Sequence, residues 1–154
     1  MIAVEYAPAP TDEVRALVDE LEAELAALYK PEQRHGLALD ELFQPHIRFF
    51  VARLDGEAAG CGGIAFFSDF AEVKRMYVRP ASRGRGVADV IMARLEQEAR
   101  DKGYRLLKLE GGTLSFAANR FYHRVGFRDC PPFEPYASMP AHAIETSVFM
   151  AKTL

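Results

Sequence analysis

The segment with the clearest chemical potential is Met76-Tyr77-Val78-Arg79-Pro80-Ala81-Ser82-Arg83-Gly84-Arg85-Gly86-Val87-Ala88. An apolar, strand-like run enters a turn with two glycines and two arginines, and helical spacing begins at Val87. A helix start carries backbone N–H groups without intrahelical partners, and the macrodipole makes that end attractive to anions. Glycine has no Cβ, so a phosphate can approach the chain closely. Strand, glycine turn and helix together describe a pyrophosphate cradle. Two known versions fail. No Lys-Ser/Thr pair follows Gly86, as a P-loop requires, and Asp89 stands where the dinucleotide fingerprint has its third glycine. A capped turn with solvated arginines, or an RNA-binding Arg-Gly segment, are the other readings of these residues alone.

The remaining reactive side chains form no pattern. Cys61 and Cys130 lack metal-ligand or redox spacing, and no histidine stands at a spacing that would activate Cys61. His35, His46, His123 and His142 are dispersed, so no metal site is expected.

The elements that must position the turn follow from periodicity. Ile2 to Tyr6 reads as a strand, and Thr11-Asp12-Glu13 caps a helix whose apolar positions run from Val14 to Leu28, with Pro31 as its stop. A short helix is expected over Leu37 to Phe43. Ile47 to Leu54 and Glu57 to Phe67 read as strands around the hairpin pair Asp55-Gly56. Glycines at 60, 62 and 63 weaken the second of these unless a bulge or a close backbone approach needs them. Glu72 to Val78 is a strand, Val87 to Ala99 a helix closed by Gly103, and Arg105 to Glu110 a strand. Ser115 to Arg124 is a helix, and Phe127 to Cys130 and Ser147 to Lys152 are strands. The order describes an α+β, three-layer fold. A mixed, mostly antiparallel sheet of six to seven strands is flanked by about four helices.

Composition narrows the class. The 154 residues suit one domain spanning residues 1–154, and 49% apolar with 27% charged residues is ordinary globular usage. A formal charge of −3 argues against a nucleic-acid partner. No apolar run approaches the roughly 18–20 residues of a membrane span. Met1 to Tyr6 lacks a basic-then-apolar leader, so a cytoplasmic location is expected.

Arg83-Gly84-Arg85-Gly86-Val87-Ala88 resembles the Arg/Gln-x-x-Gly-x-Gly/Ala signature of the GCN5-related N-acetyltransferases, the GNAT superfamily. Met76-x-Val78-x-Pro80 looks like that family's fourth strand and its exit. Ala118-Asn119-Arg120-Phe121-Tyr122-His123-Arg124-Val125-Gly126-Phe127 resembles its second motif, Ala-x-x-x-Tyr-x-x-x-Gly-Phe. The motifs concentrate in residues 72–127 and stand about 35 residues apart, with the right helix and strand between them.

The resemblance implies a GNAT-type fold and transfer of an acetyl group from acetyl-CoA to a primary amine by direct attack in a ternary complex. A non-catalytic acyl-CoA-binding sensor is the alternative. The pyrophosphate of coenzyme A would sit on Arg83, Gly84, Arg85, Gly86, Val87 and Ala88, and the pantetheine would pair with Met76 and Val78. A backbone N–H at Met76 or Tyr77 would face the developing oxyanion. Ser115 replaces an asparagine common in the family, seven residues before Tyr122, and Asn119 is its substitute candidate. Ser115 is still able to cap the helix. An amine with a pKa near ~10 costs roughly 4–5 kcal/mol to deprotonate at pH 7, so a base must be near. The resemblance assigns that role to Glu72 and the role of acid to Tyr122. The acceptor, a small-molecule amine or amino acid, is expected against Tyr29, His35, Phe49, Phe133 and Tyr136. Pairing of two copies as a homodimer is left open.

Overall fold

Val14, Leu17, Val18 and Leu21 repeat at helical spacing, and α1 (Asp12–Ala26) buries that stripe. Thr11 caps it, its Oγ1 accepting from the Val14 N–H at 3.2 Å. The computed structural model describes all 154 residues, and in it α1 ends at Ala26, short of Pro31. The chain tightens there, with the Leu28 and Tyr29 amides both donating to the Leu25 carbonyl. Leu28 therefore leaves the buried stripe and becomes exposed. The segment expected as a short helix is a 3-10 turn, Leu39–Phe43.

Seven strands form one sheet: β1 (Ile2–Tyr6), β2 (Ile47–Leu54), β3 (Glu57–Phe66), β4 (Ala71–Val78), β5 (Leu106–Gly112), β6 (Arg128–Asp129) and β7 (Ser147–Thr153). Their order is β1-β2-β3-β4-β5-β7-β6, and every neighbouring pair is antiparallel except β4 with β5. The remaining helices are α2 (Val87–Asp101), α3 (Phe116–Arg124) and the four-residue α4 (Ala141–Ile144), which lies in the proline-interrupted stretch and gives no sequence signal. The β2–β3 hairpin turns at Asp55 and Gly56 with φ of 52° and 90°, as a type I′ turn requires.

Each face of the sheet carries its own core. Ile91 and Leu95 of α2 pack with Leu107, Leu109 and Phe127 on one face. Leu17 of α1 packs with Phe49, Cys61 and Tyr77 on the other.

The glycines of β3 serve close approach. A Cβ on Gly60 would lie 2.5 Å from the Tyr77 carbonyl, and one on Gly62 would lie 2.8 Å from Ile91 of α2. They also stand opposite a bulge. Gly63 pairs with Lys74 while Cys61 pairs with Tyr77, so β4 carries one extra residue, and Arg75 takes up the irregularity with φ of 50°. Before this point β4 has already left its parallel neighbour. Only Ala71↔Leu107 and Glu72↔Lys108 join β4 to β5, and the sheet opens between them.

Candidate active site

The opening between β4 and β5 holds a cleft of about 920 Å³. Tyr122, which packs against the α2 core, lines it, as does Glu110 of β5. Glu110 alternates with Leu109 of that core and so stands on the α1 face. The cleft thus passes through the sheet where the two strands separate. Residues 73–78 of β4 have no strand partner on the β5 side, which leaves backbone groups able to pair with an extended ligand.

At one end lies the glycine turn. Gly84 and Gly86 hold φ of 77° and 86°, where a side chain would be strained, and Gly86 is the N-cap of α2 without any side-chain cap. The amides from Gly84 to Asp89 find no acceptor elsewhere in the chain. Val87 anchors the turn in the core, and Ala88 lines the cleft. Of the two arginines, only Arg83 is tied down. Arg83 donates through Nε to the Val78 carbonyl at 2.9 Å and through Nη2 to Glu24 at 2.8 Å, which ties the turn to β4 and α1. Arg85 is exposed and is not among the residues that line the cleft. Asp89 pairs with Arg124 at 3.0 Å, so its carboxylate is compensated beside the anion site. Unpaired amides, two glycines at positive φ and a helix N-terminus fit a pyrophosphate through backbone donors.

Met76 and Val78 line the cleft, and so does Tyr77, whose ring is buried in the α1 core. Ser115 does not cap α3 with its side chain, contrary to the sequence expectation. Its hydroxyl is taken by Tyr29 Oη at 2.9 Å, which also accepts from the Leu114 N–H at 2.9 Å. Tyr29 thereby clamps the start of α3 to the end of α1, and a Cβ on Gly112 would collide with its hydroxyl. Asn119 lines the cleft. Its Nδ2 donates to the Gly112 carbonyl at 2.9 Å, while its Oδ1 is buried without a partner. A buried acceptor of that kind fits an amide N–H of a bound ligand.

Glu110 is the residue that sequence reasoning missed. Burial pushes its carboxyl up to about 7. The hydroxyl of Ser147, which donates to Oε2 at 2.8 Å, works against this, and the charge of Glu72 adds to it. Burial likewise pushes the Tyr122 phenol up to about 12, with the Glu110 charge adding to it. The available signal was a carboxylate on β5, twelve residues before Tyr122 and immediately before Gly111-Gly112.

Glu72 occupies a different place from the one expected. It is 1% exposed and is not among the residues that line the cleft. Its Oε2 accepts from the Tyr136 hydroxyl at 2.6 Å and pairs with Lys74 at 2.9 Å. Lys74 and Tyr136 are themselves joined at 2.9 Å. Burial and the Glu72 charge hold the Tyr136 phenol well above its usual range. Of the expected acceptor wall, Tyr29 and His35 reach the cleft, and His35 Nε2 is tethered to the Ala143 carbonyl of α4 at 2.6 Å. Phe49 instead fills the α1 core, while Phe133 and Tyr136 pack with Phe149 in a small aromatic cluster. Their apolar mass went to packing, which sequence spacing cannot distinguish from a pocket wall.

Cys61 donates to the Arg75 carbonyl, and burial raises its thiol to about 12. Neither cysteine lines the cleft.

Residues 14–127 match the acetyltransferase (GNAT) family. The chain is 41% identical over 145 residues to an IAA acetyltransferase of Azospirillum brasilense, covering 93% of this chain and 92% of that one. A crystal structure from Klebsiella pneumoniae, assigned as an acyl-CoA N-acyltransferase, shares 31% identity with a TM-score of 0.82 and covers 100% of this chain and 98% of its own. A GNAT-family acetyltransferase from Elizabethkingia anophelis, solved with acetyl-CoA bound, has the same fold at 17% identity, with a TM-score of 0.72 over 99% of this chain and 98% of its own. The chain belongs to the GNAT acetyltransferase family, whose enzymes are acetyl-CoA-dependent N-acetyltransferases.

Proposed function

We propose that this protein transfers an acetyl group from acetyl-CoA to the primary amine of a small molecule, amino acid or peptide, by direct attack in a ternary complex. The observation that carries this reading is one cleft lined by the glycine turn with its unpaired amides, the free edge of β4, Glu110 and Tyr122. Bound acetyl-CoA supplies the activated acyl thioester. The amides of Gly84 to Ala88 would hold its pyrophosphate, and the free edge of β4 at Met76 and Val78 would hold the pantetheine, with Asn119 Oδ1 accepting from it.

Glu110 takes the ammonium proton on a carboxylate oxygen. A carboxyl at its ordinary value near ~4.3 would face a gap of roughly six units to an amine near ~10, whereas a value of about 7 removes about 3–4 kcal/mol of that cost. Tyr122 keeps its proton throughout the neutral range and donates a hydrogen bond from its hydroxyl to the departing sulfur. A covalent acyl-enzyme on cysteine finds no support, because no thiol lines the cleft. A sensor that only binds acyl-CoA would have no use for the Glu110–Tyr122 pair, and its high-energy burial of a carboxyl would serve nothing.

No helix is long and apolar enough to cross a membrane, and a cytoplasmic enzyme is the matching reading. The test is free-thiol release from acetyl-CoA across a panel of amines. Turnover with any primary amine supports the enzyme, and tight acetyl-CoA binding without turnover on the whole panel would favour the sensor.

A further inference from the structure

The α1-side wall of the cleft contains a charged cluster that proton transfer does not use. Arg75 on the β4 bulge has a side chain only 4% exposed, yet it lines the cleft. Its Nε donates to the Leu37 carbonyl at 2.9 Å and its Nη2 to Glu22 Oε1 at 2.5 Å, while Nη1 has no partner. Arg34 lines the same wall. Its Nη1 donates to Glu22 Oε2 at 2.8 Å, and its Nε is buried without a partner. Gly36 makes room for the arrangement, since a Cβ there would lie 2.3 Å from the Arg75 guanidinium carbon.

Two guanidiniums share one carboxylate, so the cluster carries a net charge of one positive unit and two buried, unused N–H donors. Burial raises the Glu22 carboxyl, but the Arg75 and Arg34 guanidiniums outweigh it and hold Glu22 below the usual carboxylate range. Glu22 is therefore ionised at neutral pH, and the count of charges stands. Buried donors left unpaired are costly, and two in one wall call for an acceptor from outside the chain. The match is a single negative charge with two oxygens, as in a carboxylate. A phosphonate dianion would leave one charge uncompensated.

We propose that Arg75 Nη1 and Arg34 Nε bind the carboxylate of the acceptor, so that the amine acetylated belongs to a molecule that also carries a carboxylate, as a free amino acid does. This deepens the acetyltransferase reading and rests on it. Arg75, Arg34 and Glu110 all line the cleft, so the anion site and the base open onto one space.

The experiment compares kcat/KM for thiol release with free L-amino acids, their carboxamides, their decarboxylated amines and aminomethylphosphonate. Charge-assisted hydrogen bonds of this kind are worth roughly 10- to 100-fold, so free amino acids should lead the carboxamides and amines by that factor. In Arg34→Gln that ratio should fall by about tenfold. Arg75→Lys should do the same, and Arg34→Gln keeps the test usable if the buried Arg75 position tolerates no change. Calorimetry with coenzyme A present should show amino-acid binding that the same variants weaken.

Decarboxylated amines or carboxamides turned over as well as amino acids would overturn the inference and leave the acetyltransferase reading intact. A preference for amino acids that neither variant alters, or a preference for the phosphonate over glycine, would overturn it as well. Absence of turnover with every amine, with acetyl-CoA bound, would remove the enzyme reading and the inference with it.

Discussion

In the proposed reading, the two ends of the cleft recognise their ligands by different means. The glycine turn offers backbone amides from six consecutive residues, Gly84 to Asp89, and Arg83 braces the loop through Val78 and Glu24. The opposite end would use side chains from three separate segments, Arg34 of the loop after α1, Arg75 of β4 and Glu110 of β5, with Glu22 of α1 holding the two arginines. A site made from backbone tolerates almost any side chain except where glycine is required. A site made from side chains is changed by single substitutions. The first arrangement suits a ligand common to a whole family, and the second suits an acceptor that varies among its members.

The same difference decides what was legible in the amino-acid sequence. The cradle is contiguous, and its requirements, glycine at positive φ and a helix start, are written in Gly84, Gly86 and Val87. The succession of elements around it followed from alternation and hairpin signals, and the glycines of β3 announced a bulge or close approach and stand at both. Glu110 was not legible as a base. Its proton affinity comes from burial and from the Glu72 charge, both products of tertiary structure. The resemblance assigned the base to Glu72, whose side chain closes a buried network with Lys74 and Tyr136. Aromatic residues misled in a similar way. Phe49 and Phe133 satisfy the cores, while the cleft takes Leu28, Leu114 and Phe116, the last of which is 63% exposed.

The largest effect is expected at the chemistry between the two ends. Tyr122→Phe should lower kcat by roughly 10²–10⁴ and leave coenzyme A affinity nearly unchanged, since the hydroxyl and not the ring acts on the sulfur. Steady-state kinetics with calorimetry of the same preparation checks it, and a rate within about twofold of the parent would reduce Tyr122 to a packing residue.

Gly86→Asp attacks the backbone end. It adds a strained side chain at a φ of 86° and a negative charge beside the pyrophosphate site, and should weaken coenzyme A binding by roughly 10- to 100-fold. Unchanged affinity in a folded variant would move the cradle elsewhere. Amino-acid selectivity among whatever turnover remains should not change, because the two ends recognise independently.

Glu110→Gln should show its effect on stability apart from activity. The folded protein holds the Glu110 proton up to about pH 7, whereas the unfolded chain releases it near the ordinary carboxylate value. This group's contribution is therefore full at low pH and lost as pH rises through about 7. Glutamine cannot ionise, so the variant should exceed the parent by about 1–3 kcal/mol near about pH 8 and by nothing near about pH 4. Denaturant unfolding at the two pH values reads this directly.

The smallest effect belongs to Asp89→Asn. Its partner Arg124 would be released toward the phosphates, and coenzyme A affinity should stay within about threefold of the parent or improve. A large loss would make the Asp89–Arg124 pair a structural brace between α2 and α3.

The most direct test of Glu110 as the base is the pH dependence of kcat/KM in the parent, Glu110→Gln and Glu72→Gln. The amine is titrated separately, so that its own limb is told apart from that of the enzyme. The parent should show an acid limb near about 7, set by Glu110. Glu110→Gln should lose that limb, fall by roughly 10²-fold at neutrality and recover as the amine arrives already neutral. Glu72→Gln should keep the limb and move it to lower pH, because it removes a charge that raises Glu110. A Glu110→Gln enzyme with the parent's limb and rate, beside a Glu72→Gln enzyme that has lost both, would contradict this account and return the base to Glu72.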